Sequence, residues 1–175
     1  MDEQLKNNTY RILELFMYQP NKDFSARGIA RELKLSHVTI ISHIKNIQKL
    51  GLIRKKENTL YPTYYANTES ENMRFYKKNA IIFALNEIGV IDYIKKRALP
   101  SSVVLFGSCA KGIYTEKSDI DIFVEAKKTK LDLARFEKSL KRHINVLFEG
   151  KIASLSMELR NNILNGAILY GFIKI

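Results

Sequence analysis

Apolar positions in the first third of the chain recur at helical spacing. Ile12, Leu13, Phe16 and Met17 share one face and the run stops at Pro20, which predicts a first helix. Ser25 reads as an N-cap for a helix over 26–33, with Ile29, Ala30 and Leu33 inward. After the break Lys34-Leu35, Ser36 reads as a second N-cap. It opens a helix with Ile40, Ile44 and Ile47 on one face, stopped by Gly51. Leu52-Ile53-Arg54 and residues 60–66 then read as two strands around the polar tip Lys55-Lys56-Glu57-Asn58.

Residues 68–97 are again helical in pattern, with Phe75, Ile82, Phe83, Leu85, Ile88, Ile91 and Ile94 expected inward and Gly89 as a divider. Pro100 ends the helix, and the pattern then alternates between short apolar runs and helical stretches. Strands are expected at 103–106, 120–124 and 144–148, helices at 131–142 and 154–164, and an apolar end over 167–170. The predicted class is α+β or α/β in three parts: helices plus hairpin over 1–67, a helical connector over 68–99, and a small mixed sheet with helices over 100–175. No internal repeat or low-complexity segment interrupts them.

Composition narrows the setting. A hydrophobic fraction of 46% in 175 residues, with few Pro and Gly, fits an ordered globular protein. No apolar run is long enough to span a membrane, and Met1-Asp2-Glu3-Gln4 does not open a signal peptide, so a cytoplasmic location without membrane contact is expected. The single cysteine, Cys109, excludes an internal disulfide framework and a cysteine-rich zinc site. The formal net charge is +11, and the excess is divided almost evenly either side of Asn67. A basic balance of this kind favours a polyanionic partner.

A short helix, a tight turn and a second helix with a polar start is the helix-turn-helix pattern, and the two strands after it add a wing. Over roughly 7–67 the chain resembles the winged helix-turn-helix domains of prokaryotic transcription regulators, carried by Ser36-His37-Val38-Thr39-Ile40-Ile41-Ser42-His43-Ile44-Lys45 and Leu50-Gly51-Leu52-Ile53. With Ile40, Ile44 and Ile47 buried, His37, Thr39, Ser42, His43 and Lys45 fall on or near the solvent side. Those groups suit base edges and phosphates of DNA. Ile41 is either partly exposed, within reach of a thymine methyl, or a second-layer core residue. Lys55 and Lys56 suit phosphate contact at the wing, as do Arg27 and Arg31; the plain alternative for each is a solvated surface charge.

The second chemical signal is Gly107-Ser108-Cys109-Ala110-Lys111-Gly112 followed by Ser118-Asp119-Ile120-Asp121. It is neither a Walker A loop, which needs Gly-Lys-Ser/Thr, nor a Rossmann fingerprint. Gly107 allows close backbone approach to phosphate oxygens, Ser108 supplies a hydroxyl, and amides at the start of a short helix add donors. Asp119 and Asp121 lie two apart on a strand and so share a face, about 6–7 Å between Cα atoms, while Ile120 and Ile122 face the core. Two like charges held this way repel unless a cation shares them, and Mg²⁺ bound to a triphosphate is the usual solution.

Gly107-Ser108, Ala110-Lys111-Gly112 and Ser118-Asp119-Ile120-Asp121 resemble the signature of the DNA polymerase β-type nucleotidyltransferase superfamily, and more closely its minimal nucleotidyltransferases, over about 100–171. The resemblance implies phosphate contacts at Gly107 and Ser108, with Lys111, Gly112 and Ser118 completing the nucleotide loop. It implies divalent metal at Asp119 and Asp121, and ATP or another NTP as substrate or ligand. Lys111 stands where the family commonly has arginine, and Cys109 reads as a bystander thiol. A third carboxylate, usual on the next strand, is replaced: the matching stretch is Ile144-Asn145-Val146, and an amide cannot accept a proton at neutral pH. Glu149 and Glu125 are the remaining substitutes.

Two functions follow, beside a plainer third in which both modules form a protein-interaction adaptor. One is Mg²⁺-dependent transfer of a nucleotidyl group from an NTP, ATP foremost, to a hydroxyl on a protein or small molecule; the resemblance implies a HEPN-type protein partner. The other is a DNA-binding regulator whose second domain senses a nucleotide or is a weak catalyst because of Asn145. Half-site pairing on an operator would call for a homodimer.

Overall fold

The structure, a computed structural model, describes residues 7–57 and 61–174. The chain divides into two compact units, Met1–Ala80 and Ile81–Ile175.

In the first unit, helix α1 (Asn8–Tyr18) starts where Asn7 Oδ1 accepts from Tyr10 N at 2.9 Å and buries Ile12, Leu13, Phe16 and Met17. Helix α2 (Ala26–Leu33) is capped by Ser25, whose Oγ accepts from Gly28 N at 3.1 Å, and ends on Lys34 in the left-handed region. Helix α3 (His37–Lys49) is capped by Ser36, whose Oγ accepts from Thr39 N at 3.1 Å, and buries Ile40, Ile44 and Ile47. Each such side chain contributes about 1.5–3 kcal/mol on removal from water. The three helices close on an antiparallel sheet of order β1-β3-β2, built from β1 (Phe24–Ser25), β2 (Ile53–Lys55) and β3 (Thr63–Ala66). Phe24, Tyr64 and Ala66 turn into the same core as the helices. Strand β1 is too short to leave an alternating pattern; it exists because Phe24 and Ser25 pair with Tyr64 and Thr63. Lys55 lies within β2, whereas the expected tip residue Asn58 and the strand start at Leu60 fall outside the described residues.

Helix α4 (Glu71–Glu87) runs through the division between the units, and Gly89, at φ +75°, separates it from α5 (Val90–Ala98). The inward face differs from the expected one. Leu85, Ile91 and Ile94 are buried, but Phe75 and Phe83 are exposed and Ile82 and Ile88 half-buried; Met73, Ala80, Ile81 and Val90 are buried instead. Helix α4 carries apolar residues around much of its circumference, so spacing alone does not select the stripe that packs.

The second unit holds a four-stranded mixed sheet of order β6-β5-β4-β7. Strand β4 (Ser102–Phe106) is buried throughout and leads directly into the one-turn helix α6 (Gly107–Lys111). Strand β5 (Ile120–Glu125) is antiparallel to β4 and parallel to β6 (Ile144–Glu149). Helix α7 (Ala134–Leu140) is shorter than expected, because Lys141 adopts a left-handed conformation and ends it. The last helix is also split. A 3-10 turn at Ile152–Ser154 precedes α8 (Met157–Leu164), which Ser156 caps through Leu159 N. The apolar end becomes β7 (Ala167–Gly171), an edge strand antiparallel to β4. Among the described residues no helix is long and apolar enough to cross a membrane.

Candidate functional site

Strand β5 presents Asp121, with Asp119 just before its start. In register, Asp121 lies between Phe106 of β4 and Asn145 of β6. Gly107 follows Phe106 at φ +71°, a conformation costly for any residue with a side chain. A Cβ at this position would overlap Asp121 Oδ2. The glycine therefore serves two local needs: the left-handed turn from β4 into α6, and room for a carboxylate against the backbone. Ser108 is half-buried in the first turn of α6. Lys111 is exposed at the end of that turn, and Gly112, at φ +69°, caps it by donating to the Cys109 carbonyl at 3.2 Å.

Asn145 completes the cluster. Its Nδ2 donates to Asp119 Oδ2 at 3.2 Å and to Asp121 Oδ1 at 3.3 Å. One amide group therefore bridges both acids. Glu125 and Glu149 stand at the far end of the paired strands, four residues along, which at about 3.3 Å per residue is about 13 Å away. Glu125 is also engaged there, accepting from Ser101 Oγ at 2.7 Å and Ser102 Oγ at 3.2 Å. Neither reaches the position where the resemblance implies a third acid. Among the described residues no group of three or more His, Cys, Asp and Glu side chains is placed to hold a metal ion; the two aspartates with the Asn145 amide are what the site offers.

Two further groups hold the segment before Asp119. Ser118 Oγ accepts from Thr115 N at 2.9 Å and so closes the turn 115–118; its hydroxyl works inside the loop, not as a free ligand group. The buried Arg142 donates from one guanidinium nitrogen to the carbonyls of Thr115 at 2.6 Å and Ser118 at 2.8 Å, while lying 4.8 Å over the Tyr114 ring. Arg142 was not singled out in the sequence, where it only closes the helix expected over 131–142. Cys109, expected to be a bystander, is fully buried and its thiol donates to the Asp119 carbonyl at 3.3 Å.

The family model of the nucleotidyltransferase domain matches residues 88–170. Every residue of the carboxylate cluster lies inside that stretch, as do Arg142 and Tyr114. Among solved structures, a chain from a crystal structure of a toxin-antitoxin with AMP-PNP is 25% identical at a TM-score of 0.40, covering 50% of this chain and 75% of that one. Comparison with curated proteins gives no match. Within the stretch that matches the family model, Gly107 lies against Asp121, Asn145 links Asp121 to Asp119, and Ser108 follows Gly107 in α6. Lys111 stays at the rim, and Gly112 and Ser118 shape the loop.

The residues expected at a DNA face, all in the first unit, are placed less uniformly. His37, Ser42 and Lys45 are exposed on α3. Thr39 is half-buried and its hydroxyl bonds Ser36 Oγ at 2.7 Å, so it belongs to the helix cap. His43 is turned toward α1, where its Nδ1 meets Thr9 Oγ1 at 2.8 Å, because one hundred degrees per residue carries position 43 away from the outer face. Ile41 is half-buried against the core. The outward line is instead Val38, Ser42, Lys45 and Lys49, opposite the buried Ile40, Ile44 and Ile47. Val38 is 78% exposed and was missed, although spacing of four, three and four along the chain marks that line. Lys55 is exposed, and Arg27 and Arg31 are exposed on α2. Lys56 pairs with Asp23 at 2.6 Å, and that hydrogen bond and charge raise its pKa above the ordinary lysine value.

Proposed function

We propose that the nucleotidyltransferase domain binds an NTP, ATP foremost, together with Mg²⁺ at Asp119 and Asp121, and transfers a nucleotidyl group to a hydroxyl on a protein or small molecule. The observation that carries this reading is the seating of Asp121 against Gly107, which joins the phosphate-loop glycine to the carboxylate pair. The donor set is oxygen-only and carries two negative charges, which fits one hard divalent cation. Mg²⁺ held there would offset triphosphate charge and polarise the phosphorus under attack. Gly107 leaves the backbone open to phosphate oxygens, Ser108 contributes a hydroxyl, and Lys111 adds charge at the rim. The acceptor oxygen bonds to the α-phosphorus, the bond to the bridging oxygen breaks, and pyrophosphate leaves. The acceptor proton goes to solvent, because Asn145 cannot take it.

The test is Mg²⁺-dependent transfer of label from α-labelled ATP to proteins or small molecules, abolished in Asp119→Ala. Absence of transfer to any acceptor, with Asn145→Asp as well as the natural chain, overturns it.

A second reading is favoured by one observation: an amide already satisfies both acids, as suits a weak catalyst or a nucleotide sensor. On that reading the first unit, whose sequence resembles a winged helix-turn-helix, binds DNA through Val38, Ser42, Lys45 and Lys49. Gel retardation on the protein's own promoter should then be sequence-specific and lost in Ser42→Ala/Lys45→Ala. Retention that ignores sequence counts against it.

A further inference from the structure

We propose that the Asn145 carboxamide is a cation-responsive group: its N–H₂ bridges Asp119 and Asp121 while no cation is bound, and it turns over to offer Oδ1 when a divalent cation enters. The inference rests on the reading that Asp119 and Asp121 hold such a cation, and it concerns what this chain does at the position opposite Asp121 in β6.

The cation-free arrangement has a clear basis. Ionised carboxylates only accept hydrogen bonds, and a primary amide has two N–H groups on one nitrogen. Nδ2 spends one on Asp119 at 3.2 Å and the other on Asp121 at 3.3 Å. The parallel pairing of Asp121 with Asn145 fixes the amide at this height, so the bridge follows from strand register. A carboxylate at position 145 would instead set three negative charges together with no donor among them. The amide thus keeps the pair ordered before any cation arrives.

The same donor becomes a liability once a cation sits between the acids, since its N–H dipoles point positive at the ion. The torsion joining an asparagine amide to its Cβ is soft and nearly two-fold. Half a turn exchanges Nδ2 for Oδ1 while the backbone stays in register. The site then offers two carboxylates and one amide oxygen, an all-oxygen set carrying two negative charges, matched to one divalent cation. Asn145 on this account is a ligand that waits as a counter-group, and it sets the site's capacity at a single ion.

Nuclear magnetic resonance reads the turn directly, on the natural protein without nucleotide. The side-chain N–H₂ pair of Asn145 is assigned by its disappearance in Asn145→Asp. On titrating Mg²⁺ after chelation, that pair should shift as its two carboxylate bonds are lost, saturating together with cation binding measured by calorimetry. Asn145→Ala should weaken Mg²⁺ binding on the order of 10- to 100-fold. Asn145→Asp should melt lower than the natural chain in chelator and gain more from Mg²⁺. If Asn145→Ala binds Mg²⁺ as tightly or more tightly, or the amide pair does not move at saturation, the turn is refuted although the cation site stands. If the natural chain binds no Mg²⁺ and matches Asp119→Ala, the failure lies in the underlying reading of the carboxylate pair. The resonance measurement needs no variant beyond the assignment, so a poorly folding substitution does not block it.

Discussion

Gly107 and Arg142 both set the geometry of the carboxylate cluster, one at Asp121 and the other through the turn before Asp119. Gly107 sits in the left-handed region with Asp121 Oδ2 where its side chain would be. Gly107→Ala should cost about 1–2 kcal/mol in backbone strain and push the Asp121 carboxyl aside. The expected result in calorimetry is loss of Mg²⁺ binding in a protein that still unfolds cooperatively. Arg142 pins the turn that delivers Asp119, with two carbonyls and an aromatic face as partners. Arg142→Met keeps the stem but removes the donors. It should lower stability by roughly 2–3 kcal/mol, as for charge-assisted hydrogen bonds, read from the urea midpoint. It should also weaken Mg²⁺ binding, because Asp119 loses its fixed approach.

At the scale of elements, helix α3 depends on its cap more than its outer face does. Ser36 Oγ satisfies Thr39 N and also contacts the Thr39 hydroxyl at 2.7 Å. Ser36→Ala should destabilise the protein by about 1 kcal/mol, visible as a lower melting temperature. Ser42→Ala, on the exposed line, should leave melting unchanged. A similar constraint governs the joint between α8 and β7. A Cβ at Gly166 would meet the Leu105 carbonyl oxygen and Val104. Gly166→Ala should therefore disturb pairing of β7 with β4, seen as faster amide exchange along residues 167–171. Strand β6 contributes to the carboxylate cluster by register: parallel pairing to β5 brings Asn145, and not Glu149, beside Asp121.

At the scale of the whole molecule, the +11 charge gives a prediction that belongs to the DNA-binding reading. Binding to duplex DNA should weaken as salt rises, with a slope of about −0.9 per phosphate neutralised. If the exposed lysines of α3 make such contacts, Lys45→Ala combined with Lys49→Ala should reduce that slope by about 2 in fluorescence titrations across salt. An unchanged slope would place the basic contacts elsewhere on the chain.

The sequence by itself determined helices α1 to α3, with the caps Ser25 and Ser36, and the buried strand β4, while the grouping of Gly107, Ser108, Asp119 and Asp121 came from the resemblance their motif carries. Those features are local: an N-cap, a helical stripe or a two-residue alternation is written within a few positions. Asn145 in place of a third acid was legible only through the family resemblance, laid over the short apolar strand that carries it. Tertiary structure alone decided the rest. Strands β1 and β7 exist by pairing with distant partners, and the packed face of α4 depends on what covers it. Arg142 and Cys109 gained their roles from carbonyls 24 and 10 residues away. His43 lost its expected place to a hydroxyl 34 residues upstream. The bridge from Asn145 to both aspartates needed two strands brought into register, which no spacing along the chain records.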